Sequence, residues 1–106
     1  MEHSFGEIIA LFYNGLCVAS YEIIKKSNIR CDIKLNLYYP FNRHRAILED
    51  IKVNSVEHAV LDYMTMQAYN DTEDRNKMFV FAVVAYFTKQ INKGLNNVVI
   101  IYLLGC

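Results

Sequence analysis

From Tyr38 to Arg45 the sequence reads YYPFNRHR, three aromatic rings interleaved with Arg43, His44 and Arg45. Rings that stack and guanidinium groups that bridge phosphates are what single-stranded nucleic-acid binding uses. The same residue types, Tyr and Arg above all, concentrate at the energetic centres of protein interfaces. Eleven Lys and Arg balance eleven Asp and Glu, so the formal net charge is zero and the molecule as a whole exerts no field toward a polyanion. That neutrality favours a protein partner. The stretch therefore predicts a partner-binding surface built from Tyr38, Tyr39, Phe41, Arg43, His44 and Arg45, with a solvated basic turn as the plainer alternative.

Other constellations are weaker. His58 and Asp62 stand at i and i+4, a spacing that brings an imidazole and a carboxylate together on one helix face, with Glu57 adjacent. A metal centre or a base with its orienter needs more than these two groups, and nothing in the sequence brings His3 or His44 to them. A solvated face with one weak ion pair is the simpler reading. Cys17, Cys31 and Cys106 are odd in number and have no C-x-x-C spacing, which argues against a disulfide framework and a zinc ribbon and suits a reducing cytoplasm. Cys17 and Cys31 lie in apolar, strand-like context, where an inert buried thiol is the ordinary finding. Asp71, Glu73 and Asp74 fit the first turn of a helix, where the macrodipole favours negative charge. The glycines are isolated, so no phosphate-cradling loop is present. No residue is assigned to catalysis or to a metal, and no cofactor is expected.

The elements that must carry these residues follow from periodicity. Asn14-Gly15, inside FYNGLC, is a strong two-residue hairpin signal. Paired about it, Tyr13 meets Leu16, Phe12 meets Cys17, Leu11 meets Val18, Ala10 meets Ala19 and Ile8 meets Tyr21, with Glu7 set against Glu22. A helix over the same segment would be capped by Ser4 and Glu7 but would carry Gly15 in its middle at a cost of about 1 kcal/mol; the hairpin is preferred. Ile33, Leu35, Leu37 and Tyr39 alternate with Asp32, Lys34, Asn36 and Tyr38, the period of a strand with one wet face. Arg45 to Val53 reads as a returning strand with Ile47, Ile51 and Val53 on one side, a short helix being the competitor.

Beyond it, Val56, Ala59, Val60, Tyr63 and Met64 form a helical stripe that stops at the polar Gln67. A second helix runs from Glu73 to Asn92, apolar nearly all round, with Gly94 just past its end. Residues 98–104, VVIIYLL, read as a buried strand. The longest apolar run, Met78 to Phe87, is about half the roughly 20 residues that a membrane helix needs, so no membrane association is expected. Met1 is followed by Glu2 and His3 without a basic segment ahead of an apolar one, so no secretory signal is expected.

These elements predict one α+β domain over residues 1–106: an antiparallel or mixed sheet of four to five strands packed with helices over about 56–68 and 73–92. The order of strands, helix and strand resembles the first half of a ribonuclease H-like fold. That resemblance implies carboxylates on the first strand, at the helix and on the fourth strand to hold divalent metal, and the strand segments EIIALFY and VVIIYLL carry no inward acid that fits. A degenerate domain of that kind, or another hydrolase, is the last of three functional readings. Hydrophobic residues are 54% of the chain before glycine is counted, above the roughly 45–50% of an average domain. Such an excess leaves apolar surface for an oligomer or a docked partner. With the bias toward Ile, Lys, Asn, Tyr and Phe, it suggests a small non-enzymatic interaction protein, a homodimer, of the kind that phages and viruses use to inhibit a host defence complex, in the manner of an anti-CRISPR. A nucleic-acid-binding module acting through Tyr38 to Arg45 is the alternative.

Overall fold

A computed structural model of the chain describes residues 6–70 and 72–93, together with the backbone of Ile101–Leu103. Four strands form a meander, β1 (Ile8–Tyr13), β2 (Leu16–Lys26), β3 (Arg30–Leu37) and β4 (His44–Lys52), followed by α1 (Val56–Asn70), α2 (Lys77–Asn92) and β5 (Ile101–Leu103). All neighbouring strands are antiparallel, in the order β4-β3-β2-β1-β5. The class is α+β, as the sequence predicts. The remainder of the predicted strand over 98–104, and Gly94, Asp71 and Cys106, lie outside the described residues.

The Asn14-Gly15 pair is a turn. Asn14 has φ 49° and Gly15 φ 81°, the two consecutive positive angles that a type I′ turn requires, and this turn's twist matches that of the strands it joins. Tyr13 pairs with Leu16 and Phe12 with Cys17 as expected, but the register then slips by one residue, so that Leu11 meets Ala19, Ala10 meets Ser20 and Ile8 meets Glu22. The expected pairs Leu11/Val18, Ala10/Ala19 and Ile8/Tyr21 are thus corrected. The cause is a β-bulge at Val18, an extra residue that no period-2 count anticipates. It sends both Val18 and Ala19 into the core, and it removes the apposition of Glu7 and Glu22 that a regular hairpin would impose.

Strand β3 follows the predicted alternation as far as Leu37, where it ends, so Tyr39, expected in the same inward row, lies beyond the strand and is exposed. Cys31, Ile33, Leu35 and Leu37 are buried, while Asp32, Lys34 and Asn36 face away. Strand β4 does not place the residues expected of it. Its core-side partners are Ala46 against Leu35, Leu48 against Ile33 and Ile51 against Cys31, with a second bulge at Asp50, whose φ is 58°. Ile47, expected beside Ile51, therefore points to the open face and is 52% exposed. The backbone N–H of Asp50 donates to Asp32 Oδ1 at 3.0 Å, which satisfies the donor that the bulge frees from the ladder.

Both helices lie against one face of the sheet. Helix α1 buries Val56, Val60, Leu61, Met64, Gln67 and Ala68, so its inner stripe runs through Gln67 instead of stopping there. Helix α2 buries Val80, Val83, Val84 and Phe87. Residues 74–76, expected inside the second helix, form a separate 3₁₀ turn ahead of it. Between the layers, Ile9, Leu11, Val18, Tyr21, Ile23, Ile33 and Leu35 meet the helical residues in one continuous core.

Candidate functional site

The eight residues of YYPFNRHR do not form one surface. Tyr38 follows β3, and its hydroxyl is hydrogen-bonded to Ser20 Oγ at 2.8 Å on the sheet face away from the helices. The chain then turns, with the Phe41 N–H donating to the Tyr38 carbonyl at 2.9 Å. Tyr39 goes to the other side, edge-on to Phe79 of α2 with ring centroids 5.8 Å apart. Phe41 is 3% exposed and belongs to the core, where its ring anchors the loop and is unavailable to a partner. His44 opposes Leu37 on the helix side of the sheet, bonded to the Tyr63 hydroxyl and stacked on that ring at an interplanar angle of 16°. Arg43 and Arg45 remain exposed on the open sheet face. Alternation along a strand and a tight turn thus separate Tyr39 and Phe41 from the two guanidinium groups and leave only the Tyr38 ring beside them.

The open face is a shallow trough. One depression lies over Cys17, Ser20, Glu22 and Lys34 and continues into a second beside Arg43 and Arg45, with Asn36 and Tyr38 shared between them. Glu22 and Lys34 stand directly opposite each other there. Cys17 Sγ–H donates to the Ala19 carbonyl at 3.5 Å, and burial pushes the thiol above its ordinary 9.0. Cys31 is raised in the same way, by burial first and then by the neighbouring Asp32 carboxylate. Lys26 pulls the Cys31 thiol the other way, but by less than burial and Asp32 raise it, so neither thiol is held in the low range of a nucleophilic thiolate. His58 and Asp62 are both exposed on α1, with no ion pair between them. Among the described residues no group of three or more His, Cys, Asp or Glu is placed to hold a metal ion, and no helix is long and apolar enough to cross a membrane.

The surface that the sequence did not single out is the outer side of α2. Because the inner side is set by residues 80, 83, 84 and 87, the 3.6-residue repeat turns Met78, Ala82 and Ala85 to solvent, and all three are exposed, Met78 by 88%. Aromatic rings border this ridge on both sides. Phe81 packs edge-on against Tyr69 of α1, centroids 5.0 Å apart, and Lys77 Nζ donates to the Tyr69 carbonyl at 3.2 Å, tying the helices at that point. On the opposite border Phe79 meets Tyr39 and Tyr13, and Tyr86 meets Tyr13 at 5.3 Å. Tyr69 is 66% exposed and Tyr39 54%. Two alanines between banks of rings make a low strip with raised apolar sides. From Met78 to Thr88 the helix carries no charged residue, and that run, read at a period of 3.6 instead of as a uniform apolar block, is the signal that identifies the ridge.

Comparison with protein-family models, with curated proteins and with solved structures finds no match to this chain.

Proposed function

We propose that this chain is a non-catalytic protein-docking module whose contact surface is the outer ridge of α2 with Tyr39 and Tyr69 beside it. The observation that carries the reading is the solvent exposure of Met78, Tyr69 and Tyr39 around Ala82 and Ala85. Met and Tyr are enriched at protein interfaces because they offer large contact area, and Met in addition adapts its shape to the surface it meets. Small residues let another backbone approach closely. A low apolar strip between aromatic banks suits the apolar face of an amphipathic helix, laid in by residues at i, i+3, i+4 and i+7. A module with this design acts by occupying a surface of its partner, so blocking the assembly of a larger complex is the activity that suits it.

The test is selection from a displayed library of random helical peptides. Binders enriched on the wild-type chain are expected to be amphipathic, to lose at least tenfold in affinity on Ala82→Glu, and to be indifferent to Arg43→Ala and Arg45→Ala. Absence of binders, or binders indifferent to Ala82→Glu, would overturn the reading.

A second reading rests on Arg43 and Arg45 lining one depression with Asn36 and Tyr38. It gives an anionic ligand, single-stranded nucleic acid, on the open sheet face. Salt-dependent binding of a labelled oligonucleotide that is lost in the Arg43→Ala/Arg45→Ala double variant would support it. No binding at low salt would remove it. The Glu22 carboxylate in the adjoining depression, and the removal of Tyr39 and Phe41 from this face, make it the weaker of the two.

A further inference from the structure

We infer that β4 is the edge through which two copies of this chain join their sheets, in an antiparallel register centred on Ile47. This surface is distinct from the α2 ridge and does not depend on it. Strand β4 ends the sheet order, with β3 on one side and nothing among the described residues on the other, so one edge of its backbone offers unpaired N–H and C=O groups. Such an edge accepts another strand when the side chains beside it are compatible, and here the five residues Arg45 to Glu49, RAILE, are complementary to themselves.

With Ile47 on a two-fold axis perpendicular to the sheet, Arg45 stands opposite Glu49 of the second copy, and Glu49 opposite Arg45 of the second copy. Two opposite-charge pairs flank one apolar pair on the open face. Arg45 and Glu49 are exposed, and neither takes part in an ion pair among the described residues. On the helix side the same register sets the half-buried Ala46 against the half-buried Leu48 of the second copy, covering both. Opposite-charge and apolar cross-strand pairs of these kinds stabilise adjoining strands. Other registers lose this match. A shift of two residues sets Ile47 against a charge and leaves another charge unpaired, and a shift of one turns the helical layers to opposite sides of the joined sheet.

The helical layer points to the same edge. His44 of β4 stacks on Tyr63, so the flank of α1 that bears Tyr63 overhangs β4. An exposed Ile in the sheet is thereby covered by a symmetric contact. The bulge at Asp50 limits the pairing to these five residues, so the interface is small and the dissociation constant falls in the micromolar range.

The measurement is the solution mass of the full chain by light scattering and sedimentation equilibrium up to about 1 mM, well above a micromolar constant. The wild type is expected to reach twice the 12.4 kDa of one chain. Arg45→Glu and Glu49→Arg should each weaken the dimer at least tenfold, and the double variant Arg45→Glu/Glu49→Arg should restore it. Ile47→Lys, which brings two ammonium groups together at the axis, should give a monomer, and Ala82→Glu should leave the dimer intact. Circular dichroism of each variant reports that it is folded. A wild-type monomer at 1 mM, a dimer indifferent to the three β4 variants, or one dissociated by Ala82→Glu would each overturn the inference.

Discussion

The two helices rest on the same sheet and use their surfaces differently. Helix α1 buries six residues, one of them the polar Gln67, and shows solvent His58 and Asp62 along with Met66 and Tyr69. Helix α2 buries only four, Val80, Val83, Val84 and Phe87, although almost every residue from Met78 to Phe87 is apolar. Folding accounts for the inner side of α2 and leaves its outer side unexplained, because an exposed apolar side chain adds nothing to the core. The contrast shows that hydrophobicity of a helix and its burial are separate properties, and that their difference marks a surface with another use.

The largest effect that tests this contrast is on the inner side. Phe87→Ala removes a fully buried ring and should cost about 3–5 kcal/mol in urea unfolding; a loss below about 1 kcal/mol would mean that α2 is not clamped to the sheet as described. Next is the junction between α1 and the sheet edge. Tyr63→Phe deletes the hydroxyl that bonds His44, and a loss of about 1 kcal/mol is expected. A substitution on the outer side of α2 should be nearly silent. Met78→Ser should change stability by no more than about 0.5 kcal/mol while weakening any ligand of the ridge, so similar losses at positions 78 and 87 would erase the distinction between the two sides. The smallest effect concerns the thiols. Both Cys17 and Cys31 are held protonated above their ordinary 9.0, so their contribution to stability is complete below about pH 9 and declines as pH rises past it, when the unfolded chain gains thiolates that the folded chain does not. Urea midpoints of wild type and of Cys17→Ser at pH 8 and pH 10 should show a smaller decline in the variant.

Much of the fold was legible because it rests on local rules. Asn14-Gly15 demanded a turn with two positive φ angles, Ile33, Leu35 and Leu37 alternated with Asp32, Lys34 and Asn36, α1 showed a stripe and α2 a long apolar run. What was not legible was whatever a count of residues cannot contain. The extra residue at Val18 and the left-handed Asp50 shift the register after them, so Glu22 meets Ile8 and Ile47 turns outward. A bulge is a property of two strands together, and no single segment announces it. The candidate site was less legible still. YYPFNRHR attracted notice as a continuous stretch, yet a surface is made of residues that share a face, and the turn at Tyr39 and Pro40 sends neighbours in sequence to opposite sides of the sheet. Tyr39 alone of the six expected residues reaches the α2 ridge, where Tyr69, Met78, Ala82 and Ala85 join it from two helices. A helix apolar on nearly every side has to be buried between layers or against a partner, and Met78, Ala82 and Ala85 of α2 are exposed.

The central claim, that the outer side of α2 is a docking surface and no part of the folding core, is tested most directly by measuring thermal stability and ligand affinity on the same variant. Ala82→Glu is suited to this, since Ala and Glu are both good helix formers and position 82 is exposed. The account predicts an unchanged midpoint and at least a tenfold loss of affinity for the peptides selected on the wild-type chain. An unchanged affinity, or a lowered midpoint that by itself accounts for the lost binding, would contradict it.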